Sequence, residues 1–357
     1  MNFTQHAMTP AERIVSNCAG LYAQHGYRRF LMNKFEDYAL YADNKNFLVD
    51  GRLLTFTDDG KLKALKPDIT LSIVKNLARE DHLPLKVFYN ETVYRVKKGE
   101  REFSELQQMG LELIGDDSLY ATAEVISLAK ASLDAISQNS ILDISHMGIL
   151  SKMIDEACAC GANREELITL IVHKNADGIN SLLRKINCSS PLSRLVGTYS
   201  PITEMIPYLK ELLPNTKEVN ELEIISSVLS LSGLDKNVYL DFSLMHDIGY
   251  YNGIIFKGYI KGVPVAVLSG GRYDPLLERF GLNTSALGFA IYLDYIRYSE
   301  AASATDVLLL YTNEDSAQSV ALAMKTLSDQ GLSVMAAKNA PSNRSFTKTV
   351  RVKEVLI

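Results

Sequence analysis

Residues 89–115 read YNETVYRVKKGEREFSELQQMGLELIG, a strand, a charged loop and a second strand. Tyr89, Thr92, Val93, Tyr94 and Val96 favour extended backbone. Lys97 to Arg101 forms a polar turn around Gly99, and Glu105 to Ile114 is the return strand. Successive side chains of a strand point to opposite faces. Met109, Leu111 and Leu113 therefore share a face suited to a core, while Gln108, Gly110 and Glu112 share the other. A glycine between an amide and a carboxylate lets a ligand lie close to the backbone with a polar group on either side. The competing reading is a half-wet antiparallel strand whose polar face meets only water.

The chain around this hairpin has 357 residues, enough for two or three domains. Hydrophobic residues make up 47% and charged residues 22%, so a sizeable core is available to a soluble globular protein. The formal charge of −5 supplies no long-range basic field, which argues against nucleic acid as a partner. Cys18, Cys158, Cys160 and Cys188 match no common zinc spacing and are too few for a disulfide framework. No apolar run has the length of a membrane span, and the N-terminal residues lack a signal-peptide core. These features predict a reduced, cytoplasmic protein without a metal site.

Thr9-Pro10-Ala11-Glu12 is a helix start, with Thr9 as cap, Pro10 at the first helical position and Glu12 closing a capping box. Gly26 ends that helix, and Tyr27 to Phe35 is read as a strand. In LKPDIT (residues 65–70), Pro67 keeps Lys66 extended, and Asp68 or Thr70 caps the helix from Leu71 to Arg79. The other reading of that pair is a seat for a ligand's ammonium group. Asp117-Ser118 opens a helix to about Ser137. Residues 143–235 carry Leu, Ile, Glu and Lys at helical spacing and read as a helical insertion. Strand character returns at Val238 to Phe242, Ile254 to Ile260 and Val263 to Leu268. Ser269-Gly270-Gly271-Arg272 then permits close backbone approach beside an arginine. From Val307 onward the order is strand, helix, strand, polar stretch and a final apolar strand.

These pieces occur in one order in one family. The sequence resembles the catalytic domain of class II histidyl-tRNA synthetases. LKPDIT is similar to their LRPEGT-type histidine-binding segment. The Arg95 strand with ELQQMGLELIG is similar to motif 2. LMHDIGYYNGIIFKGY is similar to the histidine signature RGLDYYNxTVFE, and GGRYDPLLERFG with LGFAIYLDYI to the approach to motif 3 and motif 3 itself. The likeness spans roughly residues 9–298. It implies an α+β fold: a class II aminoacyl-tRNA synthetase-like antiparallel sheet flanked by helices. The core would be residues 1–142 with 236–298, the helical insertion 143–235, and a small C-terminal α/β domain 304–357.

Histidine activation concentrates negative charge at phosphorus and needs cations there. Arg95 matches the motif 2 arginine. The loop arginine falls at Glu102, the motif 3 arginine at Tyr295, and the arginine that opens the histidine signature at His246. The motif 3 glycine falls at Tyr292 and the motif 1 proline at Asn33. Each lost transition-state cation costs on the order of 10²–10³ in rate. The histidine-binding set implied by the resemblance is Asp68, Thr70, Arg95, Gln108, Glu112, Tyr250, Tyr251 and Tyr273. Within it, Asp68, Thr70 and Gln108 would hold the α-amino group, while Glu112 and the tyrosines would face the imidazole.

An amino-acid pocket without activation chemistry is similar to the ATP phosphoribosyltransferase regulatory subunits. That resemblance implies a non-catalytic subunit in histidine biosynthesis, without a cofactor; the alternative is a histidyl-tRNA synthetase or a paralogue that senses tRNA or histidine. Its partner would be a short-form catalytic subunit, in a hetero-octamer of four plus four, with L-histidine as a possible ligand and self-association as a dimer. PRPP, ATP and Mg²⁺ would belong to the partner chain.

Overall fold

The computed structural model describes residues 8–44, 52–77, 83–96, 102–245, 250–296, 305–341 and 345–356. The chain forms two compact units, Asn17–Ile296 and a smaller one of Met1–Ser16 with Arg297–Ile357.

The strands of the larger unit are β1 (Arg28–Arg29), β2 (Phe35–Asp37), β3 (Thr55–Asp58), β4 (Lys61–Leu65), β5 (Leu85–Val96), β6 (Phe103–Ile114), β7 (Ser140–His146), β8 (Tyr199–Pro201), β9 (Val238–Asp241), β10 (Ile254–Ile260), β11 (Leu268–Arg272) and β12 (Ala286–Tyr292). Nine of them make one sheet in the order β1-β5-β6-β12-β11-β10-β7-β9-β8. Pairing is antiparallel except at β1–β5 and β7–β9. Strands β2, β4 and β3 form a separate small sheet.

The β5–β6 hairpin is the longest pairing, twelve residues on each side, from Leu85↔Ile114 to Val96↔Phe103. Its apolar face is core: Met109, Leu111 and Leu113 are 0–1% exposed. The helix Leu119–Ile136 lies on that face. It is capped by Ser118, which accepts from the Ala121 amide at 3.1 Å. Close approach needs Gly258 in β10, where a Cβ would come within 2.6 Å of Leu133. The part of the helix Pro10–Gln24 that belongs to this unit also packs there. Its Tyr22 meets Phe88 and Phe289 edge-on and shares a 2.8 Å hydrogen bond with Ser132. The Thr9 box at its start forms as expected, with Glu12 accepting from the Thr9 amide at 2.7 Å and the Glu12 amide donating to Thr9 Oγ1 at 3.2 Å.

Several boundaries differ from the sequence reading. Of Tyr27 to Phe35, only Arg28–Arg29 and Phe35 are strand, because the chain leaves β5 after a two-residue parallel bridge. The strand expected at 263–268 begins at Leu268 and runs through the glycines, so Gly270 and Gly271 are sheet positions. The helical run starts at Met147, since residues 143–146 complete β7 and bury Ile144. Helices Met147–Ala159, Arg164–Val172, Ala176–Lys185, Leu192–Gly197, Ile202–Leu212 and Lys217–Leu231 follow, with β8 adding an edge strand to the main sheet. Asparagine caps open two of them. Asn163 accepts from the Glu166 amide and Asn175 from the Gly178 amide.

In the smaller unit, β13 (Thr305–Leu310), β14 (Val334–Ala337) and β15 (Phe346–Arg351) form a parallel sheet in the order β14-β13-β15. The helix Ala317–Asp329 covers a core of Val307, Leu309, Ala323, Leu327, Val350 and Val352. The last strand stops at Arg351, whose amide donates to Glu354 at 2.9 Å and opens the short helix Val352–Val355.

Candidate functional site

The polar face of β6 is not wet. Gln108 and Glu112 are each 3% exposed, so the half-wet reading fails and the face is a built floor. The expectation that Gly110 leaves room for a ligand also fails. A Cβ there would lie 2.0 Å from the Phe289 carbonyl and 2.5 Å from the Tyr89 hydroxyl. Tyr89 sits opposite Gly110 in the hairpin and is 1% exposed, and its ring takes the space the missing side chain leaves.

The next row of the sheet carries two further glycines. Glu112 in β6 stands opposite Gly288 in β12, which stands opposite Gly271 in β11. A Cβ on Gly288 would come 1.7 Å from Glu112 Oε2, and one on Gly271 would come 2.7 Å from the Tyr251 ring. The two glycines therefore let the Glu112 carboxyl and the Tyr251 ring lie flat on the sheet.

Glu112 is held from two sides. Thr70 Oγ1 donates to Oε1 at 3.1 Å and the Tyr273 hydroxyl to Oε2 at 2.8 Å. Burial pushes its carboxyl up to about 8, against the pull of the Tyr273 and Thr70 hydrogen bonds and with added repulsion from Asp68. Tyr250 meets Tyr251 edge-on at 4.6 Å and lies 6.2 Å from the Tyr273 ring. Burial, followed by nearby charges and phenols, holds all three phenols well above their ordinary value, so they stay protonated donors.

Asp68 takes the capping role read for it. Its Oδ1 accepts from the Leu71 amide at 2.9 Å and caps the helix Thr70–Leu77. Its Oδ2 faces Arg95 Nη2 at 3.2 Å, and Arg95 Nε donates to the Pro67 carbonyl. Lys66, fully buried, pairs with Glu91 at 2.8 Å. Gln108 stands opposite both Glu91 and Tyr292. Thus Asp68, Thr70, Arg95, Gln108, Glu112, Tyr250, Tyr251 and Tyr273 all border one region of the sheet. Arg272 does not. Its guanidinium turns to the helix-covered face and donates to Thr122 Oγ1 at 2.8 Å.

The substituted positions are placed as follows. Glu102 and Asn33 are exposed. Tyr295 lies in the 3-10 turn after β12, its ring 5.7 Å from that of Tyr292. His246 lies outside the described residues. Among the described residues, no group of three or more His, Cys, Asp or Glu is arranged to hold a metal, and no helix is long and apolar enough to cross a membrane. The site offers one carboxyl that burial holds above the ordinary carboxylate range, one carboxylate in an ion pair, three phenols and an amide.

Tyr89, the Lys66–Glu91 pair and Gly288 escaped the sequence reading, whereas the close approach read for Gly271 is made by the Tyr251 ring. Alternation places Tyr89 on one of two faces, but only the strand register sets it over Gly110.

A histidyl-tRNA synthetase family model matches residues 3–296. The chain belongs to the histidyl-tRNA synthetase family. An ATP phosphoribosyltransferase regulatory subunit of Alkaliphilus metalliredigens is 30% identical over 290 residues, covering 77% of this chain and 73% of the relative. One of Clostridium kluyveri is 30% identical over 294 residues, covering 77% and 74%. Among solved structures, an ATP phosphoribosyltransferase regulatory subunit/histidyl-tRNA synthetase from Bacillus halodurans C aligns with a TM-score of 0.72 at 24% identity, covering 96% of this chain and 93% of the other. A chain of an ATP phosphoribosyl transferase complex from Thermotoga maritima aligns with a TM-score of 0.64 at 22% identity, covering 79% and 97%. These likenesses bear out the class II synthetase-like fold.

Proposed function

We propose that the chain is a non-catalytic regulatory subunit of ATP phosphoribosyltransferase. In this reading it activates a short catalytic subunit in the first step of histidine biosynthesis and carries histidine feedback. The observation that carries this is a buried acidic and phenolic pocket whose nearby cations, Arg95 and Lys66, are both engaged by carboxylates. The naming of its 30%-identical relatives supports the same role. Asp68, Thr70 and Gln108 take the α-amino group, and Glu112 with Tyr250, Tyr251 and Tyr273 takes the imidazole. The protein works in the cytoplasm as a dimer within a hetero-octamer of four plus four. An effector shifts an equilibrium only by binding two states unequally, so histidine favours one packing against the partner over another.

The test is ATP phosphoribosyltransferase activity of a short catalytic subunit from the same source, with and without this chain, across a histidine titration. Activation by the chain and inhibition by histidine are expected, with Glu112→Gln and Tyr251→Phe blunting the inhibition. A chain that neither binds nor activates that subunit sinks the reading. Undiminished inhibition in both variants removes the pocket as the sensor.

A further inference from the structure

Arg95 reaches back from the end of β5 onto the segment that precedes the helix Thr70–Leu77. Its Nε is taken by the Pro67 carbonyl and its Nη2 by Asp68. The segment is clamped on β5 by the Tyr94 amide, which donates to the Lys66 carbonyl at 2.9 Å. The Arg95 and Asp68 side chains are 15% and 17% exposed, so the contact is largely shielded from water. The second Asp68 oxygen is committed to the Leu71 amide. The Asp68 carboxylate therefore already has a cation on one oxygen and an amide on the other.

A primary ammonium in a shielded seat needs acceptors on several sides. In the amino-acid reading, Asp68 Oδ2 is the charged acceptor of that seat. A guanidinium and an ammonium brought together on one oxygen repel.

We infer that Arg95 is an internal competitor for the ligand's ammonium group, and that an amine-bearing ligand must displace its guanidinium from Asp68 to be seated. This rests on the reading of the pocket as an amino-acid site. It makes Arg95, which the resemblance places in the histidine-binding set, act on affinity through Asp68, and it confines that effect to ligands that carry an ammonium.

The experiment is titration calorimetry of the full chain with three probes: L-histidine, histamine, which lacks the carboxylate, and imidazolepropionate, which lacks the ammonium. Arg95→Met is expected to tighten histidine and histamine by about 3- to 10-fold, the size of a partly shielded ion pair, and to leave imidazolepropionate unchanged. Arg95→Gln, which keeps an N–H for the Pro67 carbonyl, repeats the measurement should Arg95→Met fail to fold. Equal or weaker binding of histamine in the folded variant overturns the inference. So does weakening of histidine and imidazolepropionate together, which would make Arg95 a carboxylate ligand. If the unaltered chain binds none of the three probes, the amino-acid reading itself fails, and the competitor with it.

Discussion

Glu112 couples binding and stability through one proton. Its folded value of about 8 exceeds that of an ordinary carboxyl, so the folded chain holds the proton more tightly than the unfolded chain. Stability therefore falls as pH rises from about 4.5 towards 8 and then levels. Glu112→Gln cannot ionise. Thermal melts should show it gaining on the unaltered chain by on the order of 2 kcal/mol between pH 6 and 9. A parallel pH dependence in the two proteins would mean that Glu112 is ionised throughout. Binding has its own window. A free imidazole titrates near 6.5, so below about 6.5 an imidazolium meets a protonated carboxyl, and above about 8 a neutral ring meets a buried anion. Histidine affinity should peak between those limits, and calorimetry from pH 5.5 to 9 would reveal it. A flat profile would detach the imidazole from Glu112. The alternation that put Gln108 and Glu112 on one face was legible in the sequence, because period two needs no knowledge of neighbours. The Arg95–Asp68 pair was not, because the two residues meet only when the LKPDIT segment is laid along β5.

At the level of elements, register carries the information that local pattern lacks. Gly110 reads as an opening in sequence and is a filled position in the sheet, since pairing brings Tyr89 against it from one side and the Phe289 backbone from the other. Gly110→Ala should cost about 1–3 kcal/mol, measurable by denaturant unfolding, because backbone on the far strand has to move. A near-neutral result would show that β12 yields easily. The far end of the sheet makes a second testable unit. The Tyr199 hydroxyl donates to Asp143 at 2.9 Å, and its ring stacks on Tyr239 at 4.8 Å, joining β8 to β7 and β9. Burial, with repulsion from Asp241, pushes Asp143 up to about 6, and the Tyr199 bond opposes that rise. Tyr199→Phe should therefore cost about 1 kcal/mol at pH 8, where Asp143 is ionised, and less at pH 5. An equal cost at both pH values would assign the loss to packing alone. The helical periodicity of 143–235 was visible in sequence. The short strand inside it was not, since three residues carry no period.

Across the whole molecule, the charge pattern separates holding an amino acid from activating it. Glu102 and Tyr295 stand where the resemblance to the synthetases would put cations, while Arg95 and Lys66 are bound to carboxylates of the chain itself. ATP–pyrophosphate exchange with histidine is expected to be undetectable. Exchange above background would return the chain to the synthetases. The order of motifs made the fold and family legible, because several weak matches in one order are jointly specific. The way the pocket closes was not legible, since it depends on glycines whose neighbours lie in other strands. Those glycines have a further consequence for how the protein can vary. In a saturation mutagenesis library scored for folded protein, positions 110, 271 and 288 should tolerate almost nothing larger than glycine, whereas conservative changes at 70, 250 and 273 that keep the volume should fold and change what the pocket holds. New ligand preferences in this lineage would then arise from the walls of the pocket, with its floor inherited intact.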